Sequence, residues 1–159
     1  MKRERIDILN EMEKAYDIEF TNYQLDILLG NTGGYSRRQT GKTFGLACKA
    51  ILECLVDDEK NTRIYVILPS TNQIRNFINY LRVLMNKLKI DYKIESNKAV
   101  KINNSIICFK TDNRNGLRGL VFDYLLIDDA NVLVNVNQYF IQALQDFNPG
   151  STIIEVGTE

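Results

Sequence analysis

Two runs of consecutive apolar residues constrain the fold of this chain more than any other feature. Residues 63–68 have the sequence RIYVIL, and residues 124–129 have the sequence YLLIDD. Neither run alternates apolar with polar side chains, as a strand with one face in water would, so each predicts a strand that is buried on both faces. Strands of this kind belong to a mainly parallel sheet that is covered by helices on both sides.

Amphipathic helices alternate with these runs. The pattern predicts helices over about residues 3–16, from Thr21 to Gly30, after Lys42, after Pro69 and near 137–146, and a last strand over 152–156. Residues 92–109 differ, because their short apolar runs are separated by polar breaks and Asn103-Asn104 suits a tight turn. We therefore expect an α/β fold with a mainly parallel sheet flanked by helices, an added antiparallel hairpin, and ligands at the carboxyl ends of the strands.

The segment SRRQTGKT, at residues 36–43, ends in Gly-Lys-Thr, which is typical of the lysine end of a phosphate-binding loop. In such a loop, backbone N–H groups surround phosphate oxygens, the lysine reaches the β and γ phosphates, and the hydroxyl binds Mg²⁺. Apolar residues recur at helical spacing after Thr43, so Lys42 and Thr43 would open a helix whose N-terminus favours anions. The full motif has glycine where Ser36 stands, and residues 31–35 make a poor buried strand, so a simple surface turn remains an alternative.

Two carboxylates end the second apolar run, and they could supply the acidic groups that a phosphate-binding loop needs beside it. A buried strand that delivers Asp128 at its carboxyl end suits Mg²⁺ binding beside the phosphates, and Asp129 next to it can orient an attacking water molecule. Either acid alone could instead cap a following helix. Together with the Gly-Lys-Thr segment, and in this order, they indicate a nucleotide-binding core.

Composition excludes several other classes of function. Twenty basic and twenty acidic residues give a formal net charge of zero, so nucleic-acid binding would need a local basic patch. The sequence has no histidine and its three cysteines form no CxxC pair, which excludes a zinc site and a histidine-dependent nucleophile. The N-terminal residues 1–16 are mixed in charge, so we expect neither a signal peptide nor a membrane span there.

Five segments carry a resemblance to a known family. They are FTNYQ at residues 20–24, RRQTGKT at 37–43, LPSTNQ at 68–73, LRGLVFD at 117–123 with LIDDA at 126–130, and VGTE at 156–159. Together they resemble the ATPase (motor) domain of the large terminase subunits of tailed bacteriophages, a family whose phosphate loop commonly lacks the first glycine. The resemblance runs from about residue 18 to the end of the chain and implies a RecA-like P-loop NTPase core.

The resemblance, combined with the chemistry above, assigns roles to individual residues. It implies that the nucleotide is bound by Gln24, Arg37, Arg38, Gln39, Thr40, Gly41, Lys42, Thr43 and Thr158. Thr43 and Asp128 would hold Mg²⁺, and Asp129 would act as the base that orients water. Gln24 would read adenine, and Thr158, in the coupling segment, would sense the γ phosphate.

Two arginines complete the expected site. Arg38 lies inside the loop, where it would reach the γ phosphate of the ATP bound to the same chain. Arg118 is a candidate for an arginine that is supplied to the site of a neighbouring subunit. Such a cation stabilises the charge that develops during phosphoryl transfer. For Arg118, a surface position or a contact to a DNA phosphate is the alternative.

The resemblance also implies cofactors, partners and domain content. ATP and Mg²⁺ would be used to drive double-stranded DNA into a capsid, through a ring of identical subunits that works with a portal protein and a small terminase subunit in the host cytoplasm. Residues 1–30 would form N-terminal helices and the adenine-reading segment, and 31–159 the P-loop core of one domain. The family's nuclease domain would follow the last residue, so we expect no nuclease activity from this chain.

One departure keeps two other functions open. The family usually has glutamate after the metal-binding aspartate, and Asp129 is one methylene shorter. Because the geometry of water activation is demanding, turnover could be reduced. The alternatives are the first motor domain of a helicase-like translocase, which the Arg-Gly pair at 118–119 weighs against, and a nucleotide-binding assembly module with little turnover.

Overall fold

The computed structural model describes residues 2–30, 34–36, 41–113 and 115–158, with 34–36 and 158 described through their backbone. The helices are α1 (Arg5–Tyr16), α2 (Asn22–Leu28), α3 (Lys42–Leu55), α4 (Thr71–Lys87), a short 3₁₀ helix (Ala130–Val132) and α5 (Gln138–Phe147). The strands are β1 (Gly34–Ser36), β2 (Arg63–Leu68), β3 (Lys93–Glu95), β4 (Ala99–Ile102), β5 (Ser105–Thr111), β6 (Tyr124–Ile127) and β7 (Thr152–Thr158).

The strands form one sheet in the order β1-β7-β6-β2-β5-β4-β3. Strands β1, β7, β6, β2 and β5 are parallel, while β4 and β3 are antiparallel to their neighbours. Asn103, with a positive φ of 52°, lies in the two-residue turn between β4 and β5. The predicted mainly parallel sheet with an added hairpin is therefore confirmed.

The continuous apolar runs are explained by two separate hydrophobic clusters. Val66 and Leu126 belong to the cluster that contains side chains of α1 to α4, whereas Ile67, Leu125 and Ile127 belong to the cluster that contains Leu144 of α5. Since successive strand residues point to opposite faces, a strand between two such clusters must be apolar at every position. Helices α1 to α4 cover one face of the sheet, and α5 covers the other.

Helices α2, α4 and α5 each begin directly after a residue whose side chain caps the helix N-terminus. Thr21, Ser70 and Asn137 each accept a hydrogen bond from a backbone N–H in the first turn of α2, α4 and α5, respectively. Strand β1 has only three residues, in keeping with the weak apolar character of the sequence before Ser36. In the part of the chain that the structure describes, no helix is both long and apolar enough to cross a membrane.

A buried carboxylate joins four elements on the α1–α4 face. Glu53 of α3 accepts hydrogen bonds from Arg5 of α1, from Lys49 Nζ at 2.6 Å and from the Tyr124 hydroxyl of β6 at 2.8 Å. Lys49 Nζ also donates to the carbonyl oxygen of Leu28 in α2, at 2.9 Å. Burial alone would raise the pKa of Glu53, but the hydrogen bonds and charges of Arg5 and Lys49 outweigh it and hold that pKa below its ordinary value. The Glu53 cluster therefore fixes α3 against the N-terminal helices and the sheet.

We predict that Glu53→Gln lowers the free energy of unfolding by about 3 kcal/mol near neutral pH, because it leaves Lys49 buried without its counter-charge. A carboxylate whose pKa is lowered by folding contributes stability above its unfolded pKa and loses it as the pH falls through its folded pKa. The difference between wild type and variant should therefore be full above about pH 5 and should shrink toward pH 3. Urea denaturation followed by circular dichroism at several pH values measures it.

Glu11→Gln is the matched control, since Glu11 pairs with Arg3 at 2.6 Å on the surface. Its loss should stay below about 1 kcal/mol. Equal losses for the two variants, or a Glu53→Gln deficit that does not change with pH, would contradict the role of the Glu53 cluster.

Candidate active site

The candidate site lies where the carboxyl ends of β2 and β6 meet the N-terminus of α3. The parallel register pairs Ile67 with Ile127, and the backbone N–H of Asp128 donates to the carbonyl oxygen of Ile67 at 3.0 Å. This places Asp128 directly beyond the strand end. The Thr43 hydroxyl, in the first turn of α3, donates to Asp128 Oδ2 at 2.8 Å. Two residues far apart in the sequence thus meet, as the phosphate-loop interpretation predicts.

Asp128 is the most buried acid of the site, with 3% of its surface exposed. Burial raises its pKa, the hydrogen bond from Thr43 opposes this rise, and the charge of Asp129 adds to it. Its second oxygen, Oδ1, accepts the backbone N–H of Asp129 at 3.0 Å. A hydroxyl and a carboxylate oxygen in contact, next to a helix N-terminus, form a pair of hard donors suited to a divalent cation.

The backbone at the start of α3 requires a glycine. Gly41 has φ 74° and ψ 26°, the left-handed conformation, directly before Lys42. A Cβ atom at this position would also collide with the side-chain amide of Gln24. Lys42 follows with only 8% of its surface exposed, so the first turn of α3 holds its lysine inside the site.

Gln24, the residue predicted to read adenine, lies against this turn. Its Nε2 donates to the Gly41 carbonyl oxygen at 3.3 Å, and its Oε1 accepts the backbone N–H of Thr21 at 3.0 Å. The Thr21 hydroxyl in turn accepts the N–H of Gln24, which completes a capping box at the start of α2. Both ends of the Gln24 amide are thus engaged by the protein itself in this structure.

Asp129 adopts an uncommon backbone conformation, with φ 50° and ψ 45°. It precedes the 3₁₀ helix, but its side chain makes no capping hydrogen bond. Helix capping therefore does not explain why this position has a carboxylate. Asp129 Oδ2 instead accepts a hydrogen bond from Gln73 Nε2 at 3.2 Å. Sequence reasoning did not single out Gln73; the available signal was its position three residues after Ser70, just beyond the carboxyl end of β2.

A groove of about 580 Å³ opens from this group of residues and follows α4. Thr43, Asp128 and Asp129 lie at one end of it, and Tyr16 of α1 lies in its wall. The α4 side chains that line it are Gln73, Asn76, Asn79, Tyr80 and Val83. The groove therefore joins the charged residues of the site to a surface of amides and tyrosines.

The remaining predicted site residues are Arg118, Thr158 and those of the phosphate loop itself. Arg118 is exposed and lines a separate depression of about 450 Å³ with Val134, Asn135 and Phe140, so the described structure does not bring it to the groove of its own chain. The backbone of Thr158 pairs with Ser36, which places the end of β7 beside the strand that leads into the loop. Arg37, Arg38, Gln39 and Thr40 lie outside the described residues.

Comparison with known proteins gives the family. The family model described as "Terminase large subunit, T4likevirus-type, N-terminal" matches residues 35–144. No curated protein matches the chain.

Solved structures of terminases share the fold. The large terminase ATPase domain of Thermus phage P74-26 superposes with a TM-score of 0.71 at 15% identity, over 91% of this chain and 67% of that one. The large terminase of bacteriophage HK97 superposes with a TM-score of 0.71 at 18% identity, over 99% of this chain and 38% of that one.

A third structure, the large terminase of a thermophilic bacteriophage in complex with ATP-γ-S, superposes with a TM-score of 0.63 at 10% identity, over 87% of this chain. The chain spans 38% of that terminase, as it does of the HK97 protein. The structural likeness shows the RecA-like fold of terminase ATPase domains. Because the family model covers well over half of its residues, this chain belongs to the terminase large subunit family, in its T4likevirus-type N-terminal part.

Proposed function

We propose that this chain is the ATP-hydrolysing motor domain of a DNA-packaging terminase. The observation that carries the proposal is the 2.8 Å hydrogen bond from Thr43 to Asp128, at a helix start where Lys42 is also buried. A hydroxyl, a carboxylate and a lysine in this arrangement are the parts that phosphoryl transfer needs from its enzyme. The structures of another phage's large terminase with ADP and with ATP-γ-S support nucleotide binding in this fold.

The donor atoms of the site fit Mg²⁺. Thr43 and Asp128 offer hard oxygen ligands, and across the described ranges there is no cluster of three or more acidic, histidine or cysteine side chains that would hold a metal by themselves. Mg²⁺ commonly takes only one or two protein ligands and fills its other positions with water and phosphate oxygens. When bound by Thr43 and Asp128, it would supply positive charge that offsets the negative charge of the phosphates.

The protein's own residues would act on the phosphates and on water. Lys42 and the free N–H groups at the start of α3 hold the β and γ phosphates, since a helix N-terminus favours anions. Asp129 accepts a hydrogen bond from the water molecule and takes its proton as the water oxygen attacks the γ-phosphorus in line. The bond from that phosphorus to the β–γ bridging oxygen breaks, giving ADP and phosphate.

The other expected residues complete the proposal. Arg37, Arg38, Gln39, Thr40, Gly41 and Thr158 would surround the phosphates, and Gln24 would contribute to binding adenine. Arg38 in its own chain and Arg118 in the next would stabilise the charge that develops on the γ phosphate. The exposure of Arg118, in a depression away from the groove of its own chain, supports a role toward a second molecule.

The proposal also includes the movement of DNA, which the hydrolysis of ATP would drive. Hydrolysis would drive double-stranded DNA into a capsid through a ring of these chains, with a portal protein and a small terminase subunit, in the host cytoplasm. With a net charge of zero, the chain would contact DNA through local groups of basic residues and not through its overall charge. Membership of the large terminase family supports these partners.

We expect Lys42→Ala to lower the ATP turnover number by roughly 100-fold or more, because it removes a fixed positive charge from the transferring phosphate. Phosphate release at high protein concentration measures this, so that any arginine from a neighbour can act. Lys98→Ala, an exposed lysine of the added hairpin, should leave turnover unchanged. If the chain binds ATP but shows no Lys42-dependent turnover, the motor function is wrong and the chain is a nucleotide-binding assembly module.

We predict that Thr43→Val raises the Mg²⁺ concentration needed for half-maximal ATP hydrolysis by about tenfold, since valine keeps the shape and removes the hydroxyl. Thr43→Ser keeps the hydroxyl and should stay close to wild type. A magnesium titration of ATP hydrolysis, with thermal denaturation as a check of folding, distinguishes the variants. Equal magnesium requirements for valine and serine would contradict a metal-binding role for Thr43.

A further inference from the structure

The carboxylate of Asp129 is held by a neighbour on another element. Asp129 is the first residue after the buried Asp128; its backbone is left-handed, and its side chain makes no capping hydrogen bond to the 3₁₀ helix that it precedes. The contact to Gln73 Nε2, at 3.2 Å, comes from the first turn of α4. An aspartate has two rotatable side-chain bonds, so such a contact decides where its oxygens point.

Gln73 is itself well placed to act as a fixed support. Its backbone N–H donates to the Ser70 hydroxyl oxygen at 3.3 Å, and that hydroxyl also approaches Gln73 Oε1 at 3.5 Å. Ile74 and Phe77, on the adjoining turns of α4, are buried in the core. The amide therefore projects from an element that is anchored by packing, while Asp129 lies in a connection between a strand and a helix.

The chemistry of an amide donor suits a carboxylate that must receive a proton. A lysine or arginine at this position would hold Asp129 more strongly but would stabilise its charged form, whereas a neutral amide orients it with less effect on its charge. Since Gln73 binds Oδ2, the lone pairs of Oδ1 remain for water. Residues that hold a reacting group within a fraction of an ångström of its working position commonly have large effects on rate.

We propose that Gln73 is a positioning residue for the hydrolytic step, which fixes Asp129 so that one of its carboxylate oxygens faces the attacking water. The inference rests on the proposed function, because it names the support of the residue that would orient water. It also accounts for the placement of Gln73 in the first turn of α4, where its amide reaches Asp129, while Asn76 and Asn79 line the groove farther along the helix.

The test compares Gln73→Ala with Asn76→Ala, a second amide one turn along the same lining of the groove. Gln73→Ala should lower kcat by about tenfold and leave KM for ATP within about twofold, because substrate binding does not use the Asp129 carboxylate. Asn76→Ala should change neither value. A higher kcat for Gln73→Ala would mean that the contact restrains Asp129, and equal losses for both variants would mean a general effect of the groove; either result overturns the proposal.

A double-mutant cycle with Asp129→Ala separates positioning from general damage to the fold. In the Asp129→Ala background, Gln73→Ala should cause no further loss of kcat, since the group that it positions is gone. Additive losses would overturn the proposal.

A second readout does not depend on turnover. If the wild-type chain shows no Lys42-dependent hydrolysis, the proposed function fails, and urea unfolding of the same four proteins still tests the contact. A change in the unfolding midpoint of the double variant that is smaller than the sum of the single changes shows that the Gln73 and Asp129 side chains interact. Additive changes overturn the contact itself.

Discussion

The carboxylate of Glu53 is the interaction on which the arrangement of this protein depends. It is buried in the last turn of α3 and satisfied by Arg5, Lys49 and Tyr124, so that removing any one partner leaves a charge or a polar group without compensation in the core. The helix that it holds is the same helix whose first turn carries Lys42 and Thr43. The helix that carries the candidate site is thus held about three turns away from it, by a cluster that lies outside the site.

The site itself is a product of parallel pairing. Neither Thr43 nor Asp128 is unusual within its own segment; the sheet register brings Asp128 to the strand end, and Thr43 comes after β1, a parallel strand whose carboxyl end lies at the same edge. Gln73 reaches this edge in the same way, from the end of the neighbouring strand β2. Residues that follow three parallel strands, β1, β2 and β6, therefore contribute polar groups to one edge of the sheet, as is general for α/β sheets, which bind ligands at the carboxyl ends of their strands.

Much of this could be predicted from the sequence, for reasons that the structure makes clear. Strands β2 and β6 are buried on both faces, so their apolar runs left no ambiguity, and Thr21 and Asn103 act locally as a cap and a turn. Helical periodicity is a poor guide to burial at the end of α5, because Phe147 comes three residues after the buried Leu144 and yet 62% of it is exposed. Gln73 belongs to the segment LPSTNQ that follows β2, but its contact with Asp129 could not be predicted, because that contact depends on the backbone of Asp129 and on the packing of α4.

The left-handed backbone of Asp129 has a consequence for the length of the acid that this position accepts. Aspartate and asparagine tolerate a positive φ better than most other residues, and a longer side chain held at φ 50° costs on the order of 1 kcal/mol or more. The short acid and the left-handed backbone are therefore compatible with each other, whereas Asp129→Glu would add strain at this position.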